Sequence, residues 1–473
     1  MDILAYQNFY LVGIKGVAMT SLAQCLIDAG KQVSGSDLAE SFVTQNLLDR
    51  LAIKIDTNFD QDLPHSVDCV IYTAAHHGKN NPQVQLALKR DLPVFSQAEA
   101  LGSLFNQKQG VAVCGVGGKS TVSAMITWIL EQVGVQPSFS VGVGNIPGLD
   151  KTGQWRADSQ YFVAEADEYV INPEEIRAGE PPKPRFSYLQ PQVTVCTNLK
   201  FDHPDVYRDF NQTKETFTTF FNQIKPGGAL IINNDDPNLV ELTRQLDHKT
   251  RYTIISFSEQ NPADIQLISY QSEEGKTISQ IRADQNYTLT LKIPGKYNVM
   301  NALAALSACN AIGVSFDQAI AALATFKSTM RRFEYVGNKN GVEYYDDYAH
   351  HPSEIKAVIQ AIKEWYPQRK IVVAFQPHTY SRTKQLFTEF AQALATAPNV
   401  ILLDIFASAR ESFDPSIKCD QLVTAVKEIA ADMAITNLKT IDQLAIFCKT
   451  ELQPNDVMIT LGAGDIYQVH QLI

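Results

Sequence analysis

The run Val111–Met125, Val-Ala-Val-Cys-Gly-Val-Gly-Gly-Lys-Ser-Thr-Val-Ser-Ala-Met, carries the residue types that hold a phosphate chain. Gly115, Val116, Gly117 and Gly118 form a loop whose backbone N–H groups can face phosphate oxygens. Lys119 can reach β- and γ-phosphates, and Ser120 or Thr121 supplies a hydroxyl for Mg²⁺. Glu165-Ala166-Asp167-Glu168 follows the apolar run Tyr161–Ala164, where a phosphate-loop protein keeps a Mg²⁺ ligand. Glu165 is assigned that role, with Asp167 and Glu168 expected to be solvated or to stand behind it. His203, between Asp202 and Asp205 after Thr194–Thr197, has the setting of a metal or phosphate contact. Arg331 or Arg332 would neutralise charge that develops during phosphoryl transfer. The alternatives are an ordinary β-α turn at 115–121 and a surface pair at 331–332. Adjacent His350 and His351 do not point to one ion, so no dedicated zinc site is expected.

These groups need a scaffold of parallel strands with helices between them. The strand Asn8–Val12 runs into Gly13-Ile14-Lys15-Gly16-Val17-Ala18 and a helix Met19–Ala29, and the strand Gln32–Gly35 ends at Asp37. That is a Rossmann-like start. Ala18 at the third glycine position and Lys15 inside the loop favour a diphosphate-bearing ligand over a nicotinamide dinucleotide, with Lys15 as an extra cation. A tight turn without a ligand is the alternative. Further strands are expected at Cys69–Thr73, Pro93–Phe95, Val111–Cys114, Thr194–Thr197 and Ala229–Ile232, with a linker at 102–110. Thr253–Phe257, Gln266–Tyr270 and Tyr287–Ile293 read as an antiparallel patch, followed by a helix Val299–Ile312. The strands Val342–Tyr345, Ile371–Phe375, Val400–Asp404 and Asp456–Leu461 alternate with helices such as Ser353–Trp365. The pattern predicts an α/β protein of three domains: a Rossmann-like N-terminal domain (1–108), a P-loop central ATPase domain (109–327) and a Rossmann-like C-terminal domain (328–473).

Composition narrows the class. With 473 residues, 45% hydrophobic and 19% charged, the chain can bury several cores. A net charge of −11 argues against a nucleic-acid partner. Seven scattered cysteines without a C-x-x-C pair read as reduced thiols, and no apolar run is long enough to span a bilayer. A cytoplasmic location, with no membrane partner, is expected.

In their order along the chain, these motifs resemble the Mur ligase family, ATP-dependent enzymes of peptidoglycan precursor synthesis. The matching pieces are G-I-K-G-V-A-M from Gly13, G-S-D at Gly35–Asp37, G-V-G-G-K-S-T from Gly115, E-A-D-E from Glu165 and T-N-L-K-F-D-H from Thr197. N-N-D-D-P from Asn233, P-G-K-Y-N-V-M-N-A from Pro294, R-R-F-E from Arg331, D-D-Y-A-H-H-P from Asp346 and F-Q-P-H from Phe375 complete the set. The resemblance implies a UDP-sugar on the first domain, held by Gly13, Lys15, Gly16, Asp37 and Thr73. It implies ATP on the cradle 115–121, with Asn298 near the adenine and Arg332 and Asp347 near its phosphates or ribose. Ser120, Glu165 and His203 would hold Mg²⁺, and Tyr348, His350 and Arg382 would line an amino-acid pocket. Lys119, Glu165, His203, Arg332 and His350 are the implied catalytic set.

F-Q-P-H-T-Y-S-R-T favours members that join L-alanine to UDP-N-acetylmuramate. A monomer or weak homodimer is expected. E-A-D-E-Y and A-A-H-H-G-K-N-N-P resemble members that attach a recycled tripeptide instead. Val116 and Gly117 stand where the family has Thr and His, and Thr379 where Arg is usual, which leaves a catalytically reduced UDP-sugar-binding module as an alternative. A Rossmann dehydrogenase rests on the first turn alone. Where several relatives carbamylate a lysine, this chain has Phe217, with Lys214 a turn earlier, and no carbamate is expected.

Overall fold

The computed structural model describes residues 2–177, 179–246, 251–407 and 413–473. By internal contacts the chain divides into two compact units. One comprises Met1–Ser269, Ser279–Leu289 and Met300–Phe326; the other comprises Tyr270–Ile278, Thr290–Val299 and Lys327–Ile473.

The first unit opens with β1 (Asn8–Val12), β2 (Gln32–Ser36), β3 (Ile55–Asp56), β4 (Cys69–Tyr72) and β5 (Val94–Ser96), a parallel sheet in the order β3-β2-β1-β4-β5. The order reverses beside β1, so the glycine turn after β1 stands at the switch point, where open α/β sheets bind ligands. Helix α1 (Val17–Asp28) follows directly, burying Met19, Leu22, Ala23 and Leu26.

A ten-stranded sheet comes next. It uses β6 (Gln109–Cys114), β7 (Ser138–Ser140), β8 (Gly153–Gln154), β9 (Tyr161–Glu165), β10 (Val193–Cys196), β11 (Gly228–Asn233), β12 (Tyr252–Ser258), β13 (Ile265–Glu273), β14 (Lys276–Arg282) and β15 (Asn286–Leu291). Its order is β15-β14-β13-β12-β11-β10-β6-β9-β7-β8. Strands β6, β9 and β10 are central and parallel, and Val111 to Cys114 are fully buried, as expected of a strand covered on both faces. Phe105, Phe162, Phe217 and Phe220 belong to a core shared by both sheets of this unit.

Two expectations need correction. Thr253–Phe257 is not part of an antiparallel patch: β12 pairs parallel with β11 in register Ile231–Ile255. Nor is 102–110 a linker. Gly102 lies inside the helix Gln97–Phe105, and β6 already starts at Gln109. A Cβ on Gly102 would come within 2.7 Å of the Tyr188 carbonyl oxygen, so the glycine serves close packing, not chain freedom.

In the second unit β16 (Glu334–Lys339), β17 (Val342–Asp347), β18 (Ile371–Phe375), β19 (Asn399–Leu403), β20 (Ala434–Lys439) and β21 (Val457–Leu461) form a sheet in the order β16-β17-β21-β18-β19-β20. Only β16 runs antiparallel. The helix Pro352–Trp365 packs Ile355, Ile359, Ile362 and Trp365 into its core. The chain thus has the expected three-domain α/β architecture, with three sheets among the described residues. No helix of these residues is long and apolar enough to cross a membrane.

Candidate functional site

The phosphate cradle lies at the C-terminal end of β6. Gly115 (φ 115°) and Gly118 (φ 84°) hold left-handed backbone that side chains disfavour. A Cβ on Gly115 would lie 2.3 Å from Thr197 Oγ1, and one on Gly118 would lie 2.6 Å from Asn301 Oδ1. These two glycines are therefore required, whereas Val116 sits without a left-handed φ and donates its N–H to Asn198 Oδ1 at 2.9 Å. Thr197 Oγ1 and Asn198 Nδ2 donate to the Gly117 carbonyl at 2.5 and 3.3 Å, so the T-N pair after β10 braces the loop from behind. Helix Lys119–Gln132 begins at once with no side-chain cap at Gly118, which leaves its first N–H groups directed at the loop. Thr121 is buried in its first turn.

Lys119 Nζ donates to the Gly115 carbonyl at 2.8 Å and to both carboxylate oxygens of Glu168, at 3.0 and 2.8 Å. Burial pulls its pKa down, but Glu168 and then Asp167 and Glu165 outweigh that, and it stands above the usual lysine value. Glu168 is 2% exposed, which sets aside the solvated alternative and leaves the one in which it stands behind Glu165: it is the counter-ion that stores Lys119. Ser120 Oγ donates to Glu165 Oε2 at 3.1 Å, while Glu165 Oε1 accepts the Gly142 N–H at 2.6 Å. A hydroxyl beside a carboxylate is an oxygen donor set that suits Mg²⁺. His203 joins a neighbouring group: its Nε2 is 3.6 Å from both Glu168 and Asp202, and one ligand atom of each of the three lies within 4.8 Å of the others. Burial lowers the His203 pKa, but Glu168 and Asp202 overcome it and raise the value. Asp167 pairs with Arg185 at 2.6 Å; burial opposes its ionisation, yet Arg185 and then Lys119 hold the acid down at about 2.

At the first sheet, Gly13 has φ 83°, and a Cβ there would meet Thr73 Cγ2 at 2.3 Å. Gly16 caps α1 with no side-chain bond, so this helix also offers its first N–H groups. Asp37 accepts the Lys15 N–H at 2.7 Å and approaches His76 Nε2 at 3.5 Å. Lys15 behaves differently from the expected phosphate cation. It is 4% exposed, and its ammonium donates to the Leu38 and Glu40 carbonyls at 2.7 Å each, bracing the loop after β2.

In the second unit the adjacent arginines divide their roles. Arg331 is buried, with Nε donating to Asp346 Oδ2 at 3.0 Å and its other nitrogens to the Gly464 and Gly462 carbonyls at 3.1 and 2.5 Å. Arg332 is half-buried and stacks over the Tyr348 ring at 4.9 Å. Asp347 ends β17 and accepts the N–H groups of Phe333 and Ala349, each at 2.7 Å. Burial lifts its carboxyl to about 7, against the pull of Arg332. His350 stands edge-on to Tyr348 at 5.3 Å, its Nδ1 3.1 Å from the Tyr348 carbonyl. Burial lowers its pKa against Glu354, with Arg382 and Arg332 adding to the lowering. Asn298 Nδ2 is bonded to the Pro294 carbonyl at 2.7 Å.

Reading by residue type gave Asn198, Asn301 and Arg185 no role. Glu168, Asn198 and Asn301 lie within the quoted motifs, but nothing in their types signals burial or contact with the loop.

Three family models cover the chain. "Mur ligase family, catalytic domain" matches residues 8–109, "Mur ligase middle domain" 113–309 and "Mur ligase, glutamate ligase domain" 331–464. Relatives named UDP-N-acetylmuramate–L-alanine ligase from Desulfitobacterium hafniense and Clostridium novyi are each 34% identical, over 98% of this chain and 98% and 97% of theirs. The UDP-N-acetylmuramate-alanine ligase of Thermotoga maritima shares the fold at a TM-score of 0.81, with 24% identity and 98% of each chain covered. A murein peptide ligase from Psychrobacter arcticus shares it at 0.68, with 22% identity over 98% of this chain and 97% of the other. With this coverage and the phosphate cradle in place, the chain belongs to the Mur ligase family of ATP-dependent amide ligases.

Proposed function

We propose that the chain joins L-alanine to the lactyl carboxylate of UDP-N-acetylmuramate, driven by ATP, in peptidoglycan precursor synthesis, acting in the cytoplasm as a monomer or weak homodimer. The observation that carries this reading is the cradle itself. Lys119, stored on Glu168, stands one residue from the Ser120–Glu165 pair at the end of β6 and β9. Residues 1–108 would take the UDP-sugar, 109–327 ATP and 328–473 the amino acid.

A lactyl carboxylate oxygen attacks the γ-phosphorus, the bond to the β–γ bridging oxygen breaks, and ADP leaves with that electron pair. The alanine nitrogen then attacks the acyl phosphate carbonyl, and the tetrahedral species expels phosphate. Lys119 leaves Glu168 to neutralise the γ-phosphoryl oxygens, and Arg332 adds charge from the last domain. Ser120 and Glu165, with His203 nearby, would hold Mg²⁺, which when bound screens the phosphate charge. The first turn of α1, with Gly13 and Gly16, binds the diphosphate, and Asp37 and Thr73 line its sugar side. Asn298 faces the adenine and Asp347 the ribose. Tyr348, His350 and Arg382 hold alanine, and His350, kept neutral by burial, takes the amine proton.

The test is phosphate release with ATP, Mg²⁺, UDP-N-acetylmuramate and L-alanine, with each omitted in turn. Release should need all four; release indifferent to the amino acid would overturn the reading. A second reading, a tripeptide acceptor on the same carboxylate, is favoured by E-A-D-E-Y and by A-A-H-H-G-K-N-N-P from Ala74. Substituting L-alanyl-γ-D-glutamyl-diaminopimelate for L-alanine separates the two.

A further inference from the structure

Within the first unit a cavity of about 140 Å³ opens between the first turn of α1, at Val17 and Ala18, and Glu165 at the end of β9. This is well above the ~10–15 Å³ that one water needs. A smaller hollow of about 20 Å³ is lined by Tyr72, Thr73 and Ser96. Arg185 lines both, and among the described residues it is the one cation that does so; the other charged walls are Glu165 and Asp167. The cavity therefore runs from a helix start suited to a diphosphate toward the Ser120–Glu165 pair, along an acidic wall.

Arg185 is held firmly but incompletely used. An antiparallel bridge between Val170 and Pro184 and the bond from Ile171 N–H to the Lys183 carbonyl turn the chain back on itself. The Arg185 N–H closes the turn on the Tyr169 carbonyl at 2.9 Å. Its guanidinium carbon lies 5.5 Å from the Tyr169 ring centre, and NH1 donates to Asp167 Oδ2 at 2.6 Å. Among the described residues that is the guanidinium's single hydrogen bond. The fork can pair with a second carboxylate in bidentate fashion.

Resting on the function proposed above, a substrate carboxylate must approach a triphosphate past Glu165 and Asp167, anion toward anion. We propose that Arg185 binds the lactyl carboxylate of the sugar nucleotide, releasing or sharing Asp167, and holds it between the helix α1 start and the Ser120–Glu165 pair. Uridine and sugar contacts give affinity for any UDP-sugar, whereas Arg185 gives the preference for one bearing a carboxylate.

The test compares calorimetric binding of UDP-N-acetylmuramate with UDP-N-acetylglucosamine, which has the same nucleotide and sugar without the lactyl ether. Arg185→Ala should weaken the first by about 10- to 100-fold, as expected for a lost charge-assisted bond, and leave the second within about twofold. Arg185→Lys should fall between, and Asp167→Asn should keep the preference or sharpen it. Equal weakening of both ligands, or of neither, in Arg185→Ala overturns the assignment, as does loss of preference in Asp167→Asn. Should Arg185→Ala fail to fold, the lysine and Asp167→Asn variants decide. Wild-type protein with no preference and no phosphate release would overturn the function itself; a wild-type preference retained without Arg185 would overturn only this inference.

Discussion

Arg331 and Arg332 are neighbours of one type, yet their surroundings predict opposite consequences of removal. Arg331→Ala deletes a guanidinium that satisfies Asp346, 1% exposed, and the carbonyls of Gly462 and Gly464, and that stacks over Tyr467 at 4.3 Å. Asp346 would keep the Thr460 hydroxyl, at 2.5 Å, as partial relief. Removing one partner of a buried pair costs about 3–5 kcal/mol. At ~2–4 °C per kcal/mol for a unit of this size, a loss of about 4 kcal/mol lowers its Tm by roughly 8–16 °C. Arg332→Ala removes a half-buried group that stacks on Tyr348 and pulls on the Asp347 carboxyl; it should cost less stability than Arg331→Ala, but lower kcat by about 100- to 1000-fold. Scanning calorimetry and a phosphate-release assay on both variants provide the measurement. An Arg331→Ala protein melting within ~2 °C of wild type, or an Arg332→Ala protein melting as low as Arg331→Ala is expected to, would refute the division of roles.

Three further outcomes are expected. Lys119→Met should reduce turnover by at least about 1000-fold while sugar-nucleotide binding stays within about twofold, as read by calorimetry; wild-type turnover would show that the cradle does not serve phosphate. Gly13→Ala combines φ 83° with a Cβ 2.3 Å from Thr73 Cγ2 and should cost more stability than Gly30→Ala, at φ 77° in open space, which should cost only the left-handed penalty of about 1–2 kcal/mol. Equal denaturant midpoints for the two would remove the steric argument. Burial raises the Glu334 and Asp347 carboxyls to about 7 each. Each group binds a proton more tightly folded than unfolded, so stability is lost as pH rises from the ordinary carboxylate range, near 4, through 7. Glu334→Gln and Asp347→Asn should each flatten that slope in denaturant titrations at pH 4.5, 6 and 8; an unchanged slope in both variants counts against the burial account.

What could be read in advance follows from what a residue type can signal alone. Strands β1, β6 and β18 are recognisable because strands buried on both faces must be runs of apolar residues. The edge strands β3, β8 and β20 escape notice because short or half-exposed edges carry little such pattern. Gly115, Gly118 and Lys119 announce a phosphate loop because few other residues fit a left-handed turn followed by a helix start. Glu168, by contrast, looks like any acid after a strand. Its role emerges only when Lys119 is found folded onto it, and then two facts become one. A loop built to bind a polyanion must hold its lysine somewhere before the anion arrives, and a buried ammonium without a partner is costly. Glu168 answers that need while also facing His203. Exchange of Lys119 from carboxylate to phosphate would leave Glu168 to His203 and Asp202, a group of one imidazole and two acids suited to a cation. The counter-ion that stores the lysine would thereby couple nucleotide arrival to the freeing of this acid–imidazole group.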